Sequence, residues 1–383
     1  MTRSLALAAA LLGAATMAYP QAALAPAAAA KPTLEEARRA MAVPSKDDVR
    51  GQLDGIGFAS TAKGMAKAWD LSTTGPDPLI LGPAPAAGVA GAICPHDDYL
   101  YAARVYRRVL PLVTAKTVVL VGVFHKYRRF GEHDRLVFDP YREWRAPDGP
   151  VKVSALRDEL LAGLPADAFV QDAAMHDSEH SLEALVYWLR HARPDVEIVP
   201  IIVPAASMAR LEDLARLAGT RLADVMKKRG LRLGTDVAVV VSSDAVHYGP
   251  DFKFTPYGEG GVEAYVKATA HDRALLEGPL AGPLTAAKVR SVFADFVDVE
   301  HPDVYRNTWC GRFALPFGLS LLRETAERLG DGAPVGRPLA YATSVGWPEL
   351  PLRDVGMGAT APDSLYHFVG YPAVAYTLSS MAR

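Results

Sequence analysis

From about residue 88, short apolar runs alternate with longer amphipathic segments. The length of the runs and their Val and Ile content predict buried strands at 88–94, 117–124, 196–203, 237–241 and 338–345. The intervening segments have the polarity pattern of helices, at 101–113, 181–191, 208–228, 261–276 and 312–329. This alternation predicts an α/β fold of three layers, α/β/α, with a central, largely parallel sheet.

The pattern also divides the chain into three parts. Residues 1–30 have the layout of a secretory signal peptide, because Arg3 precedes an apolar run and small residues follow it. That run, 5–18, is shorter than the ~20 residues that a membrane-spanning helix needs. Residues 31–84 form a peripheral lead-in of helix and loop, and no linker divides 85–383, which we expect to be one α/β domain. An exported, periplasmic protein without stable membrane insertion after cleavage is therefore expected.

Composition and charge narrow the possible chemistry. The 383 residues carry 41 Lys and Arg against 43 Asp and Glu, so there is no basic field to bind nucleic acid. The two cysteines, Cys94 and Cys310, are too few for a disulfide scaffold or a four-thiolate metal site. They allow one disulfide, or one or two functional thiols.

Three of the ten histidines, His96, His125 and His247, come just after predicted strands. Ligands of open α/β sheets bind beyond the carboxyl ends of the strands, so we expect these imidazoles at one rim. Imidazole binds zinc, copper, iron and nickel. A single histidine in such a place is more often a surface or core residue, but three of them favour a metal site.

Two further reactive side chains come near predicted helix starts. His180 precedes the helix that the segment 176–183 leads into, where its protonation is disfavoured and a neutral imidazole can act as a general base. Cys310 precedes the helix predicted from residue 312, and a cysteine in that position tends toward the thiolate. The simpler interpretation of Cys310 is a small buried apolar residue.

Five short motifs, taken in order, resemble the MEMO family, whose bacterial members are also called AmmeMemoRadiSam system protein B. They are PHDDYLY at 95–101, GVFH at 122–125, HSLE at 180–183, SSDAVHYG at 242–249 and CGR at 310–312. The resemblance covers roughly residues 85–375. It implies a fold similar to the LigB-like class III extradiol dioxygenases, which bind Fe(II) through two histidines and a carboxylate. In MEMO-type proteins a cysteine takes the place of that carboxylate.

Carried over to this chain, the resemblance implies that His96, His125 and Cys310 are the metal ligands. It puts His247 and Asp244 in the same pocket, and His180 where the dioxygenases have an acid/base histidine. Members of the family are described as binding iron or copper, and thiolate with imidazole also suits zinc. We expect a single redox-capable ion, with Asp244 orienting His247.

Two of the motifs depart from the family pattern. Asp97 and Asp98 stand where the family usually has Ala-Gly, and Lys126 stands where it often has a second histidine. One of the two carboxylates is expected to pair with Lys126 or Arg128, or to reach the metal.

Three functions are open at this point, and the sequence does not decide whether the protein is an enzyme. The first is a metal-dependent oxidoreductase of the dioxygenase type, and the second is a module that binds metal or a peptide without turnover. The third is a hydrolase with Cys310 as nucleophile, His247 as base and Asp244 orienting the base. In each case a small molecule or a peptide is the expected ligand. In an oxidising compartment Cys94 and Cys310 could instead pair.

Overall fold

The computed structural model describes residues 45–46, 48–75 and 79–378. The predicted signal peptide and the start of the lead-in lie outside these residues. The strands are β1 (Val49–Arg50), β2 (Leu79–Ile80), β3 (Gly91–Cys94), β4 (Thr117–Val123), β5 (Leu136–Phe138), β6 (Glu143–Trp144), β7 (Val151–Val153), β8 (Phe169–Gln171), β9 (Glu197–Val203), β10 (Val237–Ser242), β11 (His247–Tyr248), β12 (Gly282–Pro283), β13 (Pro334–Thr343) and β14 (Phe368–Leu378). The helices are α1 (Ala62–Leu71), α2 (Tyr99–Val109), α3 (Tyr127–Phe130), α4 (Leu156–Leu161), α5 (Ala173–Asp177), α6 (Glu183–Ala192), α7 (Met208–Arg229), α8 (Val262–Glu277), α9 (Ala286–Phe296) and α10 (Ala314–Leu329).

The central sheet is half parallel and half antiparallel. Its strand order is β1-β6-β7-β9-β4-β10-β3-β14-β13-β12. Strands β9, β4, β10 and β3 pair in parallel, as the sequence predicts. Beyond β3, the strands β14 and β13 run antiparallel. Strand β14 was not predicted from the sequence, because Gly370 and Pro372 interrupt its apolar run.

Helices cover both faces of this sheet, which confirms the predicted α/β class. Helices α1, α2 and α6 lie on one side, and α7, α9 and α10 lie on the other. Every residue of β4 and β10 is buried, as expected for strands between two helical layers. Gly91 lets α10 approach β3 closely, since a Cβ at this position would lie 2.6 Å from Leu322 Cδ2.

The described part of the lead-in contributes two short strands to the edges of the sheet. Strand β1 pairs with β6 at one edge, and β2 pairs with β13 near the other. The side chain of Arg50 is only 1% exposed. Within the described ranges, no helix combines the length and the apolarity that crossing a membrane requires.

Candidate metal centre

The carboxyl ends of three neighbouring parallel strands meet at one edge of the sheet. His96 follows β3, His125 follows β4 and Asp244 follows β10, and the registers of these strands keep their ends level. His180 lies just before α6 in the chain, and Cys310 lies just before α10. The structure thus brings the six predicted site residues to one cavity of about 400 Å³, lined by His96, His125, His180, Asp244, His247 and Cys310 among others.

Two groups of possible metal ligands share His96. The ligand atoms of His96, His125 and His180 all lie within 4.8 Å of one another, and so do those of His96, Asp244 and Cys310. We call the second group, together with Ser242, the inner half of the site. We call His125, Glu179 and His180 the outer half. The ligand set implied by the family resemblance draws from both halves, and His96 joins them.

Hydrogen bonds fix the tautomer of His96. Its Nδ1 lies 2.7 Å from Ser242 Oγ, and Ser242 Oγ donates its own proton to the carbonyl of Ser181 at 2.6 Å. Ser242 must therefore accept a proton from Nδ1 of His96. In the neutral ring this leaves a lone pair on Nε2, which lies 3.6 Å from Cys310 Sγ and 3.3 Å from Asp244 Oδ2. Burial and the neighbouring imidazoles lower the pKa of His96 well below its usual value, so the neutral, metal-binding form is favoured.

A carboxylate orients the second imidazole, that of His125. Its backbone N–H donates to Glu179 Oε2 at 2.7 Å, and its Nδ1 lies 3.0 Å from Glu179 Oε1. The backbone N–H groups of His180 and Ser181 also donate to Oε1, each at 2.9 Å. Burial opposes ionisation, but His125, His180 and these N–H groups together hold the pKa of Glu179 well below its usual value. Glu179 was not predicted as a site residue, because its one local signal is its position beside His180.

Arg50 of β1 supports the outer half from behind. It donates to the carbonyl of Glu179 and forms an ion pair with Glu183, at 2.5 Å. Both charged side chains are buried, at 1% and 0% exposure. Glu183 in turn accepts the backbone N–H groups of residues 53–54. The lead-in therefore fixes the segment that carries His180, a role that no sequence pattern indicated.

Cys310 lies on the inner wall of the cavity, 4% exposed, and its sulfur accepts the backbone N–H of Asp244 at 3.0 Å. Gly311 permits this approach, since a Cβ there would lie 2.4 Å from Ser243 Oγ. Burial, and then the Asp244 carboxyl, raise the pKa of the thiol well above its usual value. The protein alone therefore does not favour the thiolate that the sequence predicts. Helix α10 begins only at Ala314, so Cys310 does not lie directly at its N-terminus.

The predicted pair of Asp244 and His247 is not formed. The Nδ1–H of His247 donates instead to the carbonyls of Ala245 and Thr308, at 3.0 and 3.1 Å. Asp244 accepts the backbone N–H of His96 at 2.8 Å. The backbone thus sets the tautomer of His247, and burial lowers its pKa to about 4. The expectation that Asp244 orients His247 is wrong, because the chain turns between them to enter β11.

Asp272 of α8 holds together the two loops behind the inner half. Its side chain is fully buried and accepts bonds from Trp309 Nε1 at 2.7 Å and Tyr341 Oη at 2.6 Å. It also accepts the backbone N–H of Val246 at 3.2 Å. Trp309 precedes Cys310 in the chain, so this carboxylate positions the loop of the sulfur without touching the cavity's ligand atoms.

The two carboxylates that depart from the family pattern have different surroundings. Asp98 accepts the backbone N–H of Thr360 at 2.6 Å, and burial with the neighbouring Asp97 raises its pKa to about 8. Arg128, one of its expected partners, pairs with Asp303 at 3.3 Å instead. Asp97 lines the cavity.

Both cysteines are free and buried, so the disulfide that the sequence left open is not formed in this structure. Cys94 ends β3 opposite Ser242 of β10. Burial raises the pKa of its thiol well above the usual value. Of the chain's two sulfhydryl groups, Cys310 is the one that lines the cavity.

Several known proteins similar to this chain are described as MEMO1 family proteins. A MEMO1 family protein of Methanosarcina barkeri is 31% identical over 164 residues, which are 42% of this chain and 56% of the relative. One from Archaeoglobus fulgidus is 30% identical over 170 residues, 44% of this chain and 59% of the relative. A third, from Thermococcus onnurineus, is 26% identical over 177 residues, 44% and 56% of the two chains. The chain thus spans somewhat more than half the length of these relatives.

A solved structure of an uncharacterized Escherichia coli K12 protein covers 73% of this chain and 98% of its own. The sequence identity is 14% and the TM-score is 0.37, too low to support an argument about fold or function. The family assignment rests instead on residues 78–348, which match the family described as Memo-like protein. Since that match includes all five motifs and most of the chain, the protein belongs to the Memo-like family.

Proposed function

We propose that this protein binds one redox-capable metal ion, iron or copper, through His96, His125 and Cys310. The tautomer of His96 carries the proposal, because its Nε2 lone pair lies 3.3 Å from a carboxylate oxygen of Asp244. Two electron-rich atoms at this distance repel each other unless a proton on Asp244 or a cation lies between them, and a metal ion would take the place of that proton. Imidazole with sulfur is a donor set for copper, iron or zinc rather than for magnesium or calcium.

The charge balance of the inner half fits a cation. Burial raises the pKa values of both Cys310 and Asp244 well above their usual values. A bound metal ion reverses this effect and deprotonates a coordinating thiol. The backbone N–H of Asp244 already points at the sulfur, at 3.0 Å, and stabilises its anionic form.

A redox-capable ion would supply electron transfer or the activation of a bound small molecule. The protein's own residues do the rest: Ser242 and Glu179 orient the two imidazoles. His180 stacks on His125 with ring centroids 5.2 Å apart, and it is 38% exposed, so it is suited to exchange a proton between a ligand and solvent. We propose an oxidoreductase of the dioxygenase type; a module without turnover would use the same ligands.

The cysteine-dependent hydrolase is less well supported by the geometry. In the described structure His247 bonds to backbone carbonyls rather than to Asp244, and the side-chain nitrogen beside Cys310 Sγ belongs to His96, at 3.6 Å. The raised pKa of Cys310 also disfavours a nucleophilic thiolate without a metal.

Elemental analysis and EPR of protein purified without added metal test the proposal. We expect about one ion per chain, and we expect Cys310→Ala and His96→Ala each to lose most of it. Cys94→Ala is the matched control, because it removes the other buried thiol and should retain the ion. Protein without stoichiometric metal, or with metal content unchanged in Cys310→Ala, would contradict the proposal.

A further inference from the structure

Arg312 brings a positive charge to the same cavity without a carboxylate to balance it. Its guanidinium lies over the ring of Tyr305, 3.5 Å from the centroid, and Nη1 donates a long hydrogen bond, 3.4 Å, to the carbonyl of Asn307. Among the residues that the structure describes, no Asp or Glu forms an ion pair with it.

A neighbouring arginine at the same ring, unlike Arg312, has a carboxylate partner. Arg128 lies 5.0 Å from the centroid of the same Tyr305 ring, but it pairs with Asp303 at 3.3 Å. Stacking on an aromatic ring uses the face of a guanidinium and leaves the N–H groups at its edge free to bind. This edge is a planar fork that matches a carboxylate with two parallel hydrogen bonds.

The rest of the cavity suits the body of a small ligand. Phe252, Tyr305, Ala361 and Val369 give it an apolar wall, and Thr308 and Thr360 add two hydroxyl groups. Its volume of about 400 Å³ lies within the range of small-molecule sites. Aromatic walls favour a flat, apolar ligand, because rings pack on one another face to face or edge to face.

We propose that the ligand of this cavity is a small organic carboxylate with a flat, apolar body, and that Arg312 binds its carboxylate group. This inference rests on the proposed function, because such a ligand would lie beside the imidazoles that hold the ion. Arg312 then selects for charge at one end of the ligand, while Phe252 and Val369 select for an apolar body.

Calorimetric titration with benzoate and benzamide tests this assignment, because the two probes share a ring and nearly the same shape but only benzoate is charged. We expect the unaltered protein to prefer benzoate. In Arg312→Gln, benzoate affinity should fall about tenfold to a hundredfold, the loss typical of charged hydrogen bonds, while benzamide affinity stays the same. Arg312→Lys keeps the charge without the fork and should be intermediate. Arg128→Gln, beside the same ring, is the matched control and should keep the full preference.

Titrations before and after chelation separate this inference from the proposed function, because a carboxylate can also bind a metal directly. A benzoate preference that persists after chelation and disappears in Arg312→Gln supports the assignment, even in protein found to contain no metal. Equal affinity for the two probes in the unaltered protein overturns it. So does a preference that disappears on chelation but is unchanged in Arg312→Gln, since that preference belongs to the ion.

Discussion

The inner and outer halves of the site position their imidazoles with different chemistry. His96, 3% exposed, donates to the neutral hydroxyl of Ser242, whereas His125, 32% exposed, donates to the carboxylate of Glu179. A buried anion beside the Asp244 carboxyl would be costly, so the inner half uses a neutral partner. The outer half can hold an anion because four N–H donors converge on Glu179. Ser242 and Glu179 are both buried, so a carboxylate can orient an imidazole here only where enough N–H donors converge on it.

The largest effect is expected from Arg50→Met, which removes the support of the outer half alone. Glu183 would stay buried without its partner, so the free energy of unfolding should fall by about 3–5 kcal/mol. Urea denaturation measures this loss. Arg142→Met is the control, because its pair with Asp48 is exposed and is worth about 1 kcal/mol or less. A loss as small as the control's would show that Arg50 does not support the segment.

Glu179→Gln should weaken metal binding about tenfold to a hundredfold, the usual cost of removing a group that orients a ligand. The amide keeps the shape but loses the charge, and its NH₂ group faces N–H donors of His125, His180 and Ser181. Competition with a chelator of known affinity measures the change. Unchanged affinity would mean that the outer half contributes no ligand.

Ser242→Ala should weaken metal binding less, by about tenfold, because it removes a neutral rather than a charged partner of a ligand. The ring of His96 would keep its place between Asp244 and Cys310 but lose the bond that fixes its tautomer. The same chelator competition applies. A larger loss in Ser242→Ala than in Glu179→Gln would reverse the comparison of the two halves.

The smallest effect at neutral pH concerns His176, a buried residue of the segment behind the outer half. Burial lowers its pKa to about 3, and its Nε2–H donates to the carbonyl of Val137 at 3.0 Å. The unfolded chain takes up this proton near pH 6.5 and the folded chain does not, so stability falls as pH drops from about 6.5 toward 3. His176→Gln should reduce that slope by up to about 1 kcal/mol per pH unit, measured by urea denaturation across this range. A variant with the unaltered slope would contradict this expectation.

Local sequence pattern was enough to predict the parallel half of the sheet and to single out three of the candidate ligands. The run at 117–124 became β4, since a strand covered on both faces must be apolar throughout. His96 and His125 could be found because a parallel strand delivers the residue that follows it to a common edge. Cys310 was found through its motif and its place before a helix.

Contacts between distant residues account for what the sequence did not predict. Arg50 reaches the carbonyl of His176 across 126 positions, and His125 reaches Glu179 across 54. No periodicity encodes such pairs, so both supporting residues were missed. The spacing of Asp244 and His247 suggested a pair, but backbone carbonyls took the place of the carboxylate once the chain turned.

The position of β14 has a consequence for the order in which the protein is made. Strand β3 lies between β10 and β14, which begin at residues 237 and 368. During translation, β3 therefore lacks one of its two neighbours until nearly all the described chain has been synthesised. An unpaired strand edge is prone to aggregate. His96 and Cys310 lie 214 positions apart, so they too come together only late in translation. A chain truncated before β14 should therefore aggregate rather than fold into a smaller domain.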